Sequence, residues 1–127
     1  FHRAFDVTND PVKALEDIIE CGCKRILTSG LKPSAMEGAE KISQLIGQAK
    51  GRIIIMPGGG IRSENVASLI VKTKATEIHS SAKKIRESEM KFKIDDVKMG
   101  HSPNDEFKIL LADVHLIREL KAAVRSI

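Results

Sequence analysis

The sequence predicts an α/β fold of four strand–helix units, and three observations carry that prediction. Strand-type and helix-type apolar patterns alternate along the 127 residues, which predicts a parallel sheet with right-handed crossovers. The run Arg52-Ile53-Ile54-Ile55-Met56 is apolar at every position after its first, as a strand covered on both faces must be. The spacing matches roughly 30 residues per β/α unit. Four units can form an open sheet of flavodoxin type or one half of an eight-stranded barrel, and periodicity does not separate the two.

Taken in order, residues Phe1 to Phe5 read as the end of a strand. Asp10 is an N-cap with Pro11 at the first helical position. Val12, Leu15, Ile18 and Ile19 then recur at helical spacing, and Gly22 is placed to end the helix. Lys24 to Thr28 is a short strand. Ser34 and Glu37 have capping-box spacing for a second helix with Met36, Ile42, Leu45 and Ile46 on one face, ended by Gly51. The Arg52–Met56 strand follows and is stopped by Pro57 and three glycines. Ser63 caps a helix carrying Val66, Leu69 and Ile70. Glu77 to His79 reads as the fourth strand. The polar stretch from Ser80 to about Glu106 has no clear pattern. Asp113 then caps a last helix with Val114, Ile117, Leu120 and Val124 on one face.

Composition narrows the function classes. Net charge is +4, but the 21 Lys and Arg are spread along the chain, with only a mild concentration from Lys83 to Lys98. With four Phe and no Trp or Tyr, there is little to stack on bases, so no nucleic-acid partner is expected. No window approaches the ~18 apolar residues of a membrane span, and Phe1-His2-Arg3 does not open a signal peptide. Cys21 and Cys23 are one residue apart and do not make a disulfide framework, which suits a reducing, cytoplasmic setting.

In either architecture a ligand site lies at the strand carboxyl ends. Polar residues and glycines gather at all four: His2, Arg3 and Asp6; Thr28 and Ser29; Gly58, Gly59 and Gly60; His79, Ser80 and Ser81. Glycines let a backbone approach a ligand closely, and amides at a helix start attract anions. Gly58–Gly60 with Ser80 and Ser81 is therefore a candidate anion site, against the plainer reading of a tight turn. His2, Arg3, Asp6 and His79 supply a cation, a carboxylate and two bases, the set needed to hold an acidic substrate and move a proton. The plainer reading is an Arg–Asp pair that rigidifies a loop. Two histidines lack a third metal ligand at diagnostic spacing. Thiolates suit Cu(I), but Cys21 and Cys23 fall at a helix-to-strand connection at the amino end of the sheet and read as ordinary thiols. Met56 reads as core, and His101 and His115 as structural or solvent-facing.

The strand-end motifs also resemble a known family. Phe-His-Arg-Ala-Phe-Asp at 1–6, Leu-Thr-Ser-Gly at 27–30, Met-Pro-Gly-Gly-Gly-Ile at 56–61 and Glu-Ile-His-Ser-Ser-Ala at 77–82 are similar, in order and spacing, to the CutC family associated with copper homeostasis. Met90-Lys91-Phe92 and Val97 to Gly100 are similar to the segment after the family's last strand. The resemblance implies a TIM (β/α)8-type barrel of about 250 residues, with residues 1–127 as its C-terminal half of four β/α units. It also implies a cytoplasmic, oligomeric protein that binds copper(I). The cysteines associated with copper in the family belong mainly to the other half, and Ser80 stands where some animal relatives carry Cys. The residue chemistry by itself points instead to an enzyme or binder for a small phosphorylated or acidic molecule.

Overall fold

A computed structural model describes residues 1–94 and 107–127. Its centre is a parallel pair of strands, β1 (Arg25–Thr28) and β2 (Ile54–Pro57), in register from Arg25 opposite Ile54 to Thr28 opposite Pro57. The two outer strand positions expected from the sequence are each reduced to a single residue. The Phe1 ammonium donates to the Arg25 carbonyl at 2.6 Å, and the Leu27 amide donates to the Phe1 carbonyl at 2.9 Å. That is the bond pair of a parallel neighbour. On the far side His79 forms a parallel bridge with Gly58, its amide donating to the Pro57 carbonyl at 2.8 Å. The spatial order is thus Phe1, β1, β2, His79, which is chain order.

The segment after His2 is not a strand. Arg3–Val7 winds into a 3-10 helix, because the Nδ1 atom of His2 accepts from the Ala4 amide at 3.0 Å and caps it. The turn buries Phe5 in the core and swings Asp6 toward the end of β1.

Three helices pack on the sheet. In α1 (Pro11–Glu20) the Asp10 carboxylate accepts from the Lys13 amide at 3.0 Å, a cap that contributes about 1 kcal/mol. Leu15 and Ile18 form its buried face, and Gly22 takes the left-handed turn that follows (φ 76°). The Ser34–Glu37 pair forms as expected, with the Glu37 amide donating to Ser34 Oγ at 3.3 Å and Ser34 Oγ donating to Glu37 Oε1 at 2.6 Å. It caps only a turn, however, and α2 proper runs Ala39–Ala49. Gly38 packs so tightly on the Ser29–Gly30 backbone that a Cβ at either glycine would collide with the other's main chain. The chain must clear that contact before it becomes helical. Lys50 and Gly51, both left-handed, end α2. Ser63 is the first residue of α3 (Ser63–Thr73) rather than its cap; the Arg62 amide before it is taken by Asn65 Oδ1 at 2.9 Å.

Side chains alternate across the strands. Ile26, Thr28, Ile55 and Pro57 are buried beneath the helices, whereas Leu27, Ile54 and Met56 on the opposite face are half-buried and Arg25 is exposed. The expectation that Arg52–Met56 is covered on both sides is therefore met on one side only among the described residues. Phe5, Leu15, Ile26, Ile42, Leu45, Val66 and Leu69 are the large, fully buried apolar residues of the core, each contributing about 1.5–3 kcal/mol by burial.

The stretch left open by the sequence contains β3 (Lys83–Glu87), which pairs antiparallel with β4 (Lys108–Ala112) just beyond it, with every residue of both exposed. The expectations for Val97–Gly100 and His101 lie outside the described residues. Asp113 caps α4 (Val114–Arg125) as expected, its Oδ1 accepting from the amides of His115 and Leu116 at 2.8 and 3.1 Å. The helix lies against α3 and sets Leu120 and Val124 onto the core, while Val114 and Ile117 stay open to solvent.

Candidate functional site at the strand carboxyl ends

Asp6 organises the carboxyl end of β1. Its carboxylate is 8% exposed and faces donors on every side. Oδ1 accepts from the Thr28 hydroxyl and from the amides of Ser29 and Leu31, the last two at 3.0 and 3.2 Å. Oδ2 accepts from Arg3 Nε at 2.7 Å and Ser29 Oγ at 3.0 Å. Burial opposes the charged form, but the hydrogen bonds from Thr28, Arg3 and the Ser29 and Leu31 amides outweigh it and hold the carboxyl below its ordinary range. With its lone pairs committed, Asp6 is a clamp rather than an open base.

The same network turns Thr28 and Ser29 inward. Both are fully buried, and Thr28 Oγ1 also accepts from the Gly30 amide at 2.9 Å. The Ser29 hydroxyl accepts from Arg3 Nη2 and faces two acceptors, Asp6 Oδ2 and the Lys32 carbonyl. The guanidinium of Arg3 is thereby held on two of its three nitrogens. The third, Nη1, has no hydrogen-bond partner among the described residues and lies over Gly59, where an added Cβ would sit 3.3 Å from it.

Gly59 has φ 110° and Gly60 φ 70°, conformations that side chains rarely adopt. At Gly58 a Cβ would meet Leu27 Cδ1 at 2.5 Å and His79 Cβ at 3.4 Å, so glycine lets the Leu27 side chain lie across the loop beside His79. These glycines floor a cavity of about 590 Å³, a size that holds a small organic ligand. Of the candidates read from the sequence, Arg3, Gly58, Gly59, Gly60, His79, Ser80 and Ser81 line it. His79 and Ser81 are exposed, whereas Ser80 Oγ donates to the Ile61 carbonyl at 2.7 Å and shapes the loop.

The remaining candidates stand outside the cavity. His2 stacks on Phe1 with ring centroids 5.2 Å apart and spends Nδ1 on its capping bond. Asp6, Thr28 and Ser29 form the layer behind Arg3. Cys21 is exposed and Cys23 half-buried, both at the amino end of β1, away from the glycine loop. Among the described residues no group of three or more His, Cys, Asp and Glu is arranged to hold a metal ion.

The sequence did not single out several wall residues. Arg62 and Lys83 add positive charge, while Ile85, Leu110 and Leu116 add an apolar side. Arg62 lies two residues after the last glycine of the loop, a usable signal. The others sit on β3, β4 and α4, whose placement depends on a hairpin that the sequence pattern conceals.

Comparison with known proteins places the chain. The model of the CutC family matches residues 1–84. A mouse copper homeostasis protein cutC homolog is 46% identical over 128 aligned residues, covering 100% of this chain and 47% of that protein. A family protein CutC from Pasteurella multocida is 48% identical over 126 residues, 99% of this chain and 51% of that protein. The chain therefore spans about half the length of the curated relatives it matches. The crystal structure of CutC from Streptococcus agalactiae superposes with a TM-score of 0.59 at 34% identity, over 62% of this chain and 40% of that one. The strand-end motifs and the family match agree, and the chain belongs to the CutC family.

Proposed function

We propose that this chain acts in copper homeostasis as part of a CutC-type protein, with Cu(I) as the ion handled in the reducing cytoplasm. In this reading its β/α units are the C-terminal half of a TIM-type barrel, and the complete protein is a homo-oligomer. The observation that supports it is similarity to named copper homeostasis proteins along the whole chain. Cu(I) prefers thiolate and thioether ligands. The cavity walls contain no sulfur among the described residues, so copper ligation is assigned elsewhere in the complete protein. Native mass spectrometry of protein purified under reducing conditions with added copper tests this. Stoichiometric copper is expected, and a metal-free protein that leaves cellular copper tolerance unchanged when deleted contradicts it.

A second reading is favoured by the cavity itself: a binder or enzyme for a small phosphorylated or acidic molecule at the strand carboxyl ends. Arg3, held by Asp6 and Ser29, presents Nη1 to an anionic group over the Gly59 backbone. A guanidinium fixed in this way needs little reordering to bind an oxyanion. His79 and Ser81 line the same cavity, and in this reading they exchange a proton with, or donate to, a group seated there. Copper titration and anion titration of the same preparation separate the readings.

A further inference from the structure

The cavity has two chemically different sides. One carries Arg3, Arg62, Lys83 and the glycine-loop backbone, with Glu64 the one carboxylate of the lining among the described residues, against three cations. The other carries Ile85, Leu110, Leu116 and Leu120, supplied by β3, β4 and α4. Ile85 and Leu110 are 56% and 58% exposed and Leu116 is 36% exposed. A two-stranded antiparallel pair is at best marginally stable in water, and this one shows no buried residue of its own. Apolar side chains facing an open, cation-lined space are suited to a ligand that is charged at one end and hydrocarbon at the other.

We propose that the cavity binds an amphiphilic organic anion, with its phosphate or carboxylate head on Arg3, Arg62 and Lys83 and its apolar body against Leu110 and Leu116. This rests on the reading of the cavity as an anion site and adds the apolar half of the ligand. An occupant touching both sides links β3, β4 and α4 to the glycine loop, so binding stabilises strands that bury no residue of their own. The simple head group lacks the part that reaches the hairpin.

The test titrates the complete CutC-type protein containing this chain with inorganic phosphate, hexyl phosphate and hexanol, reading affinity by calorimetry and amide exchange in 83–87 and 108–112. Hexyl phosphate is expected to bind at least about tenfold tighter than inorganic phosphate, a fraction of what burying its methylenes can supply. It should also slow exchange in both strands. Leu110→Ser and Leu116→Ser should remove that gain and leave phosphate affinity unchanged. Arg62→Ala and Lys83→Ala should weaken both anions. Equal affinity for the two phosphates, or a gain that survives both leucine variants, overturns the inference while leaving an anion site standing. Hexanol binding as tightly as hexyl phosphate, or binding of neither phosphate, overturns the inference and the anion reading together. All four substitutions lie at cavity-lining positions outside the fully buried core, and melting curves verify that each variant is folded.

Discussion

The Asp6 carboxylate grips both the amide and the hydroxyl of Ser29, tying a residue before α1 to the carboxyl end of β1 across 23 positions of sequence. Arg3 donates to both members of the pair, so the same contact aims the cavity's Arg3 cation at the glycine loop. Asp6→Asn keeps the shape but places an NH2 group against Arg3 Nε or the donors around Oδ1. Breaking a buried, hydrogen-bonded charge in this way costs on the order of 3 kcal/mol. A drop of that size in unfolding free energy by urea titration is expected, together with weaker anion binding.

Acid should reveal the same clamp. Asp6 titrates below its ordinary value in the folded protein, so the unfolded chain takes up the proton first as pH falls. The contribution of Asp6 is complete above the unfolded pKa and is lost as pH drops through the folded one, below about pH 4. Glu16 adds a separate acid sensitivity: hydrogen bonds from Arg52 and Gln48 hold it at about 2. Asp6→Asn should therefore flatten only part of the stability profile below pH 4 and Asp6→Asn/Glu16→Gln somewhat more, because Glu77, held low by Arg25, and Asp113, held low by the Leu116 and His115 amides, keep their own acid sensitivity. A single-variant profile parallel to the parent's would show that Asp6 carries no proton linkage.

Two glycines of the loop should respond differently to a side chain. Gly59→Ala meets backbone strain at φ 110° and presses on Arg3, and should cost about 1–3 kcal/mol, read as a lower melting temperature. Gly58→Ala meets chiefly the tip of the Leu27 side chain, which can turn aside, and should cost less. Gly59→Ala should weaken phosphate binding beyond what its stability loss explains, because it displaces the guanidinium. Gly47→Ala is the control, since nothing lies within 4 Å of a Cβ there, and it should be neutral or stabilising.

How much of this was legible in the sequence depends on whether the deciding interaction was local. Asp10 and Asp113 cap the helices predicted from them because a cap bonds to amides two or three residues away. The run around Ile53–Met56 could only be a strand, and its glycine stop located the cavity floor. By contrast, the place of Asp6 at the end of β1 rests on its reach to Ser29, 23 residues away, and the late start of α2 depends on Gly38 meeting Gly30. Neither contact leaves a periodic trace. The β3–β4 pair was missed because Lys-Lys-Ile-Arg-Glu carries one apolar residue and buries none, which left the apolar run Lys-Ile-Leu-Leu-Ala of β4 without a visible partner strand. With it went the apolar half of the cavity.

The cysteine pair should prove dispensable for copper handling. Cys21 closes α1 in solvent and Cys23 opens the approach to β1, at the opposite end of the sheet from the cavity. Cys21→Ser/Cys23→Ser in the complete protein should leave Cu(I) stoichiometry, read by competition with a colorimetric chelator, as it was. Affinity that vanishes in this variant yet survives loss of His2 and His79 would move the copper site to this connection.

The chain on its own should self-associate. Phe1 satisfies only one carbonyl and one amide on the outer edge of β1, and the Gly58–His79 bridge covers only the end of β2. Edge amides and carbonyls without a ladder partner are templates for another strand. Beside them, Leu27, Ile54 and Met56 are half-buried on the sheet face that the helices do not cover, where the second half of a barrel would lie. Residues 85–117 add Ile85, Phe92, Leu110 and Ile117, each at least 40% exposed. Apolar surface on this scale favours association over a solvated monomer. Sedimentation at micromolar concentration should therefore show dimers or larger species. Co-expression with the N-terminal half of a CutC relative should convert them to a discrete one-to-one complex with a higher, sharper melting transition. A monomer that melts cooperatively without that half would show that four β/α units suffice, and would defeat the half-barrel reading.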